Sequence, residues 1–202
     1  MASIEELVAE VRKLEERIES QLNEKRRDFD YTLAQGRVKF RREVRQRHRD
    51  LRIRLGAFLA RTRFLTVITA PFIYSVLIGF VVLDVLASIF QAVCFPVYGI
   101  AKVHRRDFII FDRHHLGYLN GLQKLNCIYC AYGNGLLAYV SEIAGRTEQY
   151  WCPIKHARTP GRAHSRYPIL LEFGDGENFQ KGQETLRAAL AKEHASDQSP
   201  DS

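Results

Sequence analysis

The chain has 202 residues, of which 46% are hydrophobic and 26% are charged, and its formal net charge is +7. This composition excludes a disordered chain. The charge is unevenly placed: residues 29–63 carry 11 basic and 3 acidic side chains, whereas residues 64–202 carry 13 and 12. Residues 64–101 contain a single charged side chain, that of Asp84. The contrast between these segments argues against an ordinary water-soluble enzyme.

Residues 1–63 are predicted to form one long amphipathic helix with a basic juxtamembrane end. Apolar side chains recur at spacings of three and four, which is typical of a coiled-coil seam; they are Ile4, Leu7, Val11, Leu14 and Ile18. From Leu22 onward the stripe slips by one residue, and Gly36 interrupts it. Two interpretations stand side by side: packing against a partner helix in a homo-oligomer, or folding back onto the chain's own domain. The charged start is unlike a secretory signal, so the N-terminus is expected in the cytoplasm.

A dense basic run precedes the apolar segment. Its members are Arg37, Lys39, Arg41, Arg42, Arg45, Arg47, Arg49, Arg52 and Arg54. Such clusters bind nucleic acid by releasing counterions from phosphates. Ten residues later, however, the chain enters a membrane-like segment, and a juxtamembrane cation gains about 1 kcal/mol beside anionic lipid. The sequence therefore predicts a bilayer with anionic head groups as the partner and disfavours nucleic acid.

Residues 64–101 are predicted to be embedded in the membrane. The 20 residues from Phe64 to Leu83 carry no charge, and as a helix they reach about 30 Å, the thickness of a bilayer core. A further 17 uncharged residues follow Asp84. Because both flanks are basic, a helical hairpin is favoured, with Asp84 near its turn and both termini in the cytoplasm. The alternative is one span followed by an interfacial or re-entrant segment.

Residues 102–194 are predicted to form a cytoplasmic helical domain that contains cysteine and histidine. The expected elements, in chain order, are helices over 114–130 and 136–151, a bend at 133–135, a short strand over 167–173 and a helix over 179–194. Residues 195–202 form a polar tail that is expected to be disordered. The predicted fold class is therefore mainly α, with a membrane hairpin and a small C-terminal strand.

The cysteines carry the most specific chemical signal. Cys127 and Cys130 have the spacing of a metal-ligand pair, and Cys152 is followed four residues later by His156. In a reducing cytoplasm such pairs are more often metal or redox sites than disulfides. Thiolates and an imidazole suit a tetrahedral zinc or iron centre. The predicted metal ligands are therefore Cys127, Cys130, Cys152 and His156.

Two other ligand sets compete with this one. Cys94 could replace His156 to give four thiolates, the ligand complement of an iron–sulfur cluster. Alternatively, Asp112 and His115, three residues apart on one helical face, could join Cys152 and His156. The bland interpretations are burial of each cysteine as a small apolar side chain and an interfacial position for the histidines.

Two runs resemble those of a family of small bacterial membrane proteins without known activity. They are Asn126-Cys127-Ile128-Tyr129-Cys130 and the run from Arg146 to His156. The resemblance covers about residues 64–190. It implies a bacterial inner-membrane setting and contributes neither catalytic residues nor a substrate.

Two classes of function follow. The first is a membrane-anchored protein that binds zinc, iron or an iron–sulfur cluster, with redox or electron-transfer chemistry at the cytoplasmic face. The second is a non-enzymatic membrane scaffold or interaction protein, with a structural zinc site or no metal. No Ser-His-Asp order, Walker loop, dinucleotide fingerprint or HExxH motif occurs, so the sequence indicates no catalytic residues.

Overall fold

The computed structural model describes residues 4–27, 31–34, 37–158 and 160–198, and it is mainly helical, as predicted. The elements in chain order are α1 (Ile4–Arg27), β1 (Tyr31–Ala34), β2 (Arg37–Phe40), α2 (Arg42–Asp50), α3 (Leu55–Arg61), α4 (Phe64–Tyr98), α5 (Arg105–Phe108), α6 (Gly121–Trp151) and α7 (Phe179–Asp197). Two 3₁₀ turns lie at Arg113–His115 and Tyr167–Ile169. The chain divides into two compact units.

The first unit comprises Met1–Arg61 together with Asp112–Lys124. The predicted single helix over residues 1–63 is wrong, because β1 and β2 form an antiparallel pair in which Tyr31 lies opposite Phe40. Tyr31, Thr32 and Val38 are residue types that favour strands, and this local preference outweighs the helical spacing of the apolar positions. The predicted break at Gly36 lies outside the described residues.

Within this unit, His48 of α2 is the centre of a small aromatic group. Its ring lies edge-on to Phe40 and to Tyr118, with centroids 5.0 and 5.1 Å apart. Gly117 permits the approach, since a Cβ there would lie 3.0 Å from the Cβ of His48. These contacts join α2 to the segment that precedes α6.

The second unit comprises Thr62–Phe111 and Leu125–Ser202, and its frame is the pair α4 and α6. Contacts between the helices advance together along both: Tyr129 donates to the carbonyl of Ile73, and Gln91 donates to the hydroxyl of Tyr139. The two helices therefore run in the same direction. The chain must return between them, and residues 99–111, the return segment, do this.

The return segment begins at a helix cap and then fills the space between α4 and α6. Gly99 has a φ of 65°, the left-handed conformation that commonly ends helices, and Ile100 N–H donates to the Phe95 carbonyl at 2.9 Å. Ile100, Val103 and Ile109 are buried in one core. That core also contains Phe95, Leu136, Tyr139, Ile143 and Leu190, so it joins α4, α6 and α7.

Polar side chains fasten the return segment at three points. The Gln91 amide accepts from Val103 N–H at 3.0 Å and donates to its carbonyl at 3.3 Å. Arg105 forms a two-point ion pair with Asp84, with its Nη2 2.6 Å from the carboxylate. Arg146 donates to the Ala101 carbonyl at 2.6 Å. An irregular strip of chain thus has partners for its buried polar atoms.

The predicted membrane hairpin is wrong, because residues 64–98 form one continuous helix. Asp84 does not form a turn and lies in the middle of the helix. Its carboxylate is bound by Arg105 and by the Tyr132 hydroxyl, which donates to it at 2.9 Å. Pro71 and Pro96 also lie within the helix. The Asp84 carboxylate, which was predicted near a turn, is thus paired with a cation inside the fold.

The predicted helical pair with a bend at 133–135 is also wrong, since α6 runs unbroken through these residues. Here the glycines permit close packing. A Cβ on Gly133 would lie 2.7 Å from the Phe80 ring, and one on Gly135 would lie 2.6 Å from the Phe108 carbonyl oxygen. Glycine is required because neighbouring groups approach the helix closely.

The predicted C-terminal strand over 167–173 is not formed. Tyr167–Ile169 is a 3₁₀ turn containing Pro168, which has no N–H to donate to a ladder. What remains is a single parallel bridge between Ile154 and Leu171. Helix α7 covers the predicted helix over 179–194 and extends to Asp197, so the predicted disorder is wrong for residues 195–197. Residues 199–202 lie outside the described residues.

The ion pair between Asp84 and Arg105 gives a stability prediction. The Asp84 side chain is 12% exposed, whereas that of Arg105 is 49% exposed. Arg105→Leu leaves a buried carboxylate without its cation, and we expect it to destabilise the second unit by about 3 kcal/mol. The double variant Asp84→Leu/Arg105→Leu should recover most of this loss. Thermal unfolding in detergent, followed by circular dichroism, measures both, and equal losses in the two variants would contradict the ion-pair explanation.

Candidate functional site

The three cysteines among the predicted metal ligands lie along α6 or directly after it. Cys127 and Cys130 lie one turn apart on α6, where Cys127 is half-buried and Cys130 is exposed. Cys152 follows the last residue of the same helix and is exposed. The 22 residues from Cys130 to Cys152 span about 33 Å of helix, far more than one ion can bridge. A single chain therefore keeps Cys152 away from the cysteine pair.

The remaining predicted ligands have other surroundings. The His156 N–H donates to the Tyr167 hydroxyl at 3.0 Å, and its ring stacks on that of Tyr167. Asp112 and His115 belong to the first unit, and Cys94 is half-buried in α4. Among the residues that the structure describes, no group of three or more His, Cys, Asp or Glu side chains is arranged to hold a metal ion. Metal binding stays a prediction.

A buried charge network lies where α6, the loop before Leu170 and α7 meet. The Glu142 carboxylate accepts from Nε of Arg146 and from Nε of Arg166, both at 2.9 Å, and from the Ser165 hydroxyl at 2.9 Å. Arg166 also donates to Glu193 of α7 at 2.9 Å. The side chains of Glu142, Arg146 and Arg166 are each 16% exposed or less. Every charge in the network faces an opposite charge.

The electrostatics of this network match a structural role. Burial acts to raise the pKa of Glu142, but the hydrogen bonds from Arg146 and Arg166 outweigh it, so the pKa lies below its ordinary value. Burial likewise acts to lower the pKa of Arg166, and its bonds to Glu193 and Glu142 raise it. A carboxylate that stays ionised and accepts three hydrogen bonds is a poor general base.

A second polar pair, His164 and Glu148, joins the loop before Leu170 to α6. His164 Nδ1 accepts from the Arg166 N–H at 3.2 Å, and its Nε2 lies 2.6 Å from the Glu148 carboxylate. This arrangement places the ring proton on Nε2, which donates to Glu148. Gly145 makes the approach possible, since a Cβ there would lie 2.7 Å from His164 Nδ1. Sequence reasoning missed His164 and Arg166, although Glu142 and Arg146 carry an (i, i+4) signal.

Two open clefts lie among the described residues of the second unit. One, of about 550 Å³, lies between the return segment and α7 and is lined by charged side chains that include Asp107, Glu142 and Asp197. Its carboxylates have partners, for example Glu142 with Arg146 at 2.9 Å and Asp197 with the His104 ring at 3.4 Å. The other, of about 610 Å³, is an apolar groove between α4 and α6 that includes Leu86 and Phe90.

The most unusual surface of the chain is α4 itself. It is the one helix among the described residues that is long and apolar enough to cross a membrane. Only 17% of its most apolar window is buried, whereas the core helix of a soluble protein is mostly buried. Sixteen large apolar side chains on it are exposed: Phe64, Leu65, Val67, Ile68, Phe72, Ile73, Val76, Ile78, Val81, Val82, Val85, Leu86, Ile89, Phe90, Val93 and Val97. Exposed apolar area of this extent marks a membrane or protein contact.

A basic surface lies just before this helix along the chain. From α2 to the start of α4, the side chains of Arg42, Arg45, Arg47, Arg49, Arg52, Arg54, Arg61 and Arg63 are exposed. The only carboxylates between residues 42 and 63 are those of Glu43 and Asp50. This surface is therefore available to an anionic partner.

A scan against protein-family models and searches of curated proteins and of solved structures found no match to this chain.

The Glu142 network predicts a pH dependence of stability. Because the folded-state pKa of Glu142 is lowered, its contribution is complete above the ordinary value of 4.5 and is lost as the pH falls through the folded-state pKa. We expect Glu142→Gln to destabilise the second unit by about 3 kcal/mol at pH 7 and to flatten the stability profile below pH 4.5. Unfolding at pH 7 and in acid measures this, with Glu184→Gln on the exposed side of α7 as the control. An unchanged acid profile in Glu142→Gln would assign the dependence to other carboxylates.

Proposed function

We propose that this protein is a non-enzymatic interaction protein anchored by α4 to the cytoplasmic face of the bacterial inner membrane. The observation that carries the proposal is the continuous exposed apolar surface of α4. Each of its sixteen large side chains has about half of its area left to bury, which contributes roughly 1 kcal/mol. Together they contribute roughly 15 kcal/mol, enough for attachment that is in effect permanent.

The length of this surface favours a helix lying in the plane of the membrane. The exposed side chains extend from Phe64 to Val97, so the apolar surface follows almost the whole helix, about 52 Å. The hydrocarbon core is about 30 Å thick, and upright burial of this surface would need a tilt of about 55°, beyond the usual range. An in-plane helix buries the lipid-facing part of this surface along its whole length in one leaflet without such a tilt.

The return segment supports the same placement. It runs beside the second half of α4 and carries exposed charges at Lys102, Arg106 and Asp107. Irregular backbone with charged side chains does not lie against lipid hydrocarbon. An in-plane α4 gives lipid to one side and water to the other, where α6 and the return segment lie. Both termini are then cytoplasmic, as the sequence predicts.

The basic surface of residues 42–63 complements the apolar anchor. Arg63 immediately precedes α4, so the nearest of these arginines lie within reach of the lipid head groups. Each contributes about 1 kcal/mol at an anionic surface, and this attraction weakens with salt. We therefore propose anionic phospholipid as the partner of this surface. The apolar attachment through α4 should persist at high salt.

A role in binding another protein is supported by α1, which lies outside the apolar anchor. Every described side chain of α1 from Ala9 to Leu22 is exposed, including Val11, Leu14 and Ile18. An isolated helix in water is only marginally stable, so an amphipathic helix with an exposed apolar stripe is typical of a segment that binds a partner helix. We propose that α1 is the segment that recruits this partner.

Membrane placement can be tested with three aspartate variants of exposed α4 residues: Phe72→Asp, Ile78→Asp and Val93→Asp. If the whole helix lies in one leaflet, each should weaken flotation with vesicles of anionic lipid to a similar degree. Gln180→Asp on the exposed side of α7 is the matched control. Normal flotation of Val93→Asp together with loss in Phe72→Asp would indicate an upright span limited to the first half of α4.

The single tryptophan gives a second measurement. Trp151 is 52% exposed, borders the apolar groove and contacts Tyr98 at the end of α4. In-plane placement puts it near the head groups, where lipids brominated close to the head group should quench it more than lipids brominated at the chain end. Absence of quenching by either lipid would place this end of α4 outside the bilayer. Reporter fusions at both termini should then give opposite sides.

Metal binding is the rival function, and Cys127 and Cys130 favour it because two thiolates one helical turn apart can contact one ion. Any further ligand must come from outside this stretch of α6, since Cys152 is about 33 Å away. We expect anaerobically purified protein to hold less than one zinc or iron per chain by elemental analysis. Stoichiometric metal that disappears in Cys127→Ser/Cys130→Ser would overturn this expectation and favour the metal centre.

A further inference from the structure

The proposed function leaves open which partner α1 recruits, and the charges beside its apolar stripe bear on the answer. The stripe of Ile4, Leu7, Val11, Leu14 and Ile18 occupies the two seam positions of a heptad repeat. Between Ala9 and Arg17, where the side chains are described and exposed, three charges flank this seam: Glu10, Glu15 and Arg17. Charges at flanking positions set the orientation of paired helices.

A second copy of α1 in parallel orientation meets repulsion. In a parallel pair, the residue just before one seam position lies near the residue five places further along the partner helix. Glu10 of each chain would then lie beside Glu15 of the other, and twofold symmetry makes this like-charge contact twice. Arg17 would lie beside Leu22 and gain no partner.

In the antiparallel orientation the flanking charges attract each other. When Val11 lies opposite Leu14 of the second copy, Leu7 lies opposite Ile18 and the apolar seam is continuous. Apolar pairs fill four layers of this seam, and Ile4 lies opposite Gln21 at each end. In the same register, Glu10 of each chain lies beside Arg17 of the other, which gives two attractive pairs. A shift of one heptad in either direction destroys this, because it sets Glu10 beside Glu10 or Arg17 beside Arg17.

We propose that α1 pairs with α1 of a second copy of this chain in antiparallel orientation, with the twofold axis between Arg12 and Lys13. This inference rests on the proposed role of α1 as the partner-binding segment. The apolar seam and the flanking charges together favour one orientation and one register of two identical helices. Binding to an unrelated helix would not require Glu10 and Arg17 to complement each other. The protein is then a membrane-bound dimer joined through its N-terminal helices.

Charge reversal distinguishes the possibilities in the full-length chain. In the antiparallel pair, Glu10→Arg faces Arg17 and should weaken the dimer by roughly tenfold at low salt, since two attractive contacts become repulsive. In a parallel pair the same variant faces Glu15 and should strengthen the dimer. Arg17→Glu should weaken the antiparallel pair as Glu10→Arg does. An equimolar mixture of the two variants should restore association, because both contacts are then attractive.

The measurement is dimer dissociation by sedimentation of the detergent-solubilised chain at low and high salt. Glu16→Arg makes the same charge change on the outer face of α1 and should leave the dimer unchanged. Leu14→Asp should dissociate any dimer held by this seam. Strengthening by Glu10→Arg, a monomer at all concentrations, or a dimer insensitive to Leu14→Asp would each overturn the inference. Vesicle flotation of the same variants reports separately on the anchor, so failure of the dimer and failure of the membrane proposal are distinguishable.

Discussion

A single charge within 38 otherwise uncharged residues sets the constraint on which the second unit depends. Asp84 lies in the middle of α4, where every neighbouring exposed side chain is apolar. A lone carboxylate there would be incompatible with a lipid-facing surface. The fold turns Asp84 inward and pairs it with Arg105 and Tyr132. The outer surface of α4 can then be free of charge throughout.

This pairing also dictates the topology. Arg105 follows α4 by seven residues, so its side chain reaches Asp84 only if the chain turns back along the helix. Gly99 provides that reversal, and Gln91 binds both backbone polar groups of Val103 on the way. Once the chain has returned, α6 runs beside α4 and parallel to it from Asn126, which accepts from the Tyr74 hydroxyl. The polar residues of the apolar segment thus fasten an irregular strip that would otherwise lack partners.

The sequence reveals the mainly helical fold, the apolar character of α4 and the final helix, because these depend on local composition and spacing. It does not reveal that α4 continues through Asp84, since the residues that neutralise this charge come from distant positions. Gly133 and Gly135 led to the wrong prediction of a bend for a related reason. They permit the close approach of Phe80 and Phe108, which depends on the tertiary structure. The cysteine spacing is visible in the sequence, but the distance from Cys130 to Cys152 follows from an unbroken α6.

Charge also divides the N-terminal region into parts that respond differently to an anionic surface. Residues 1–28 carry 6 basic and 8 acidic side chains, whereas residues 29–63 carry 11 and 3. Anionic head groups attract the second part and weakly repel the first. Beside the proposed anionic membrane, α1 would be favoured in water, with its apolar seam open to another helix, and the arginines that follow would be favoured at the lipid. Under the proposed attachment through α4, each chain is restricted to two dimensions; the local concentration of α1 is then raised, and even a modest seam suffices to pair two chains.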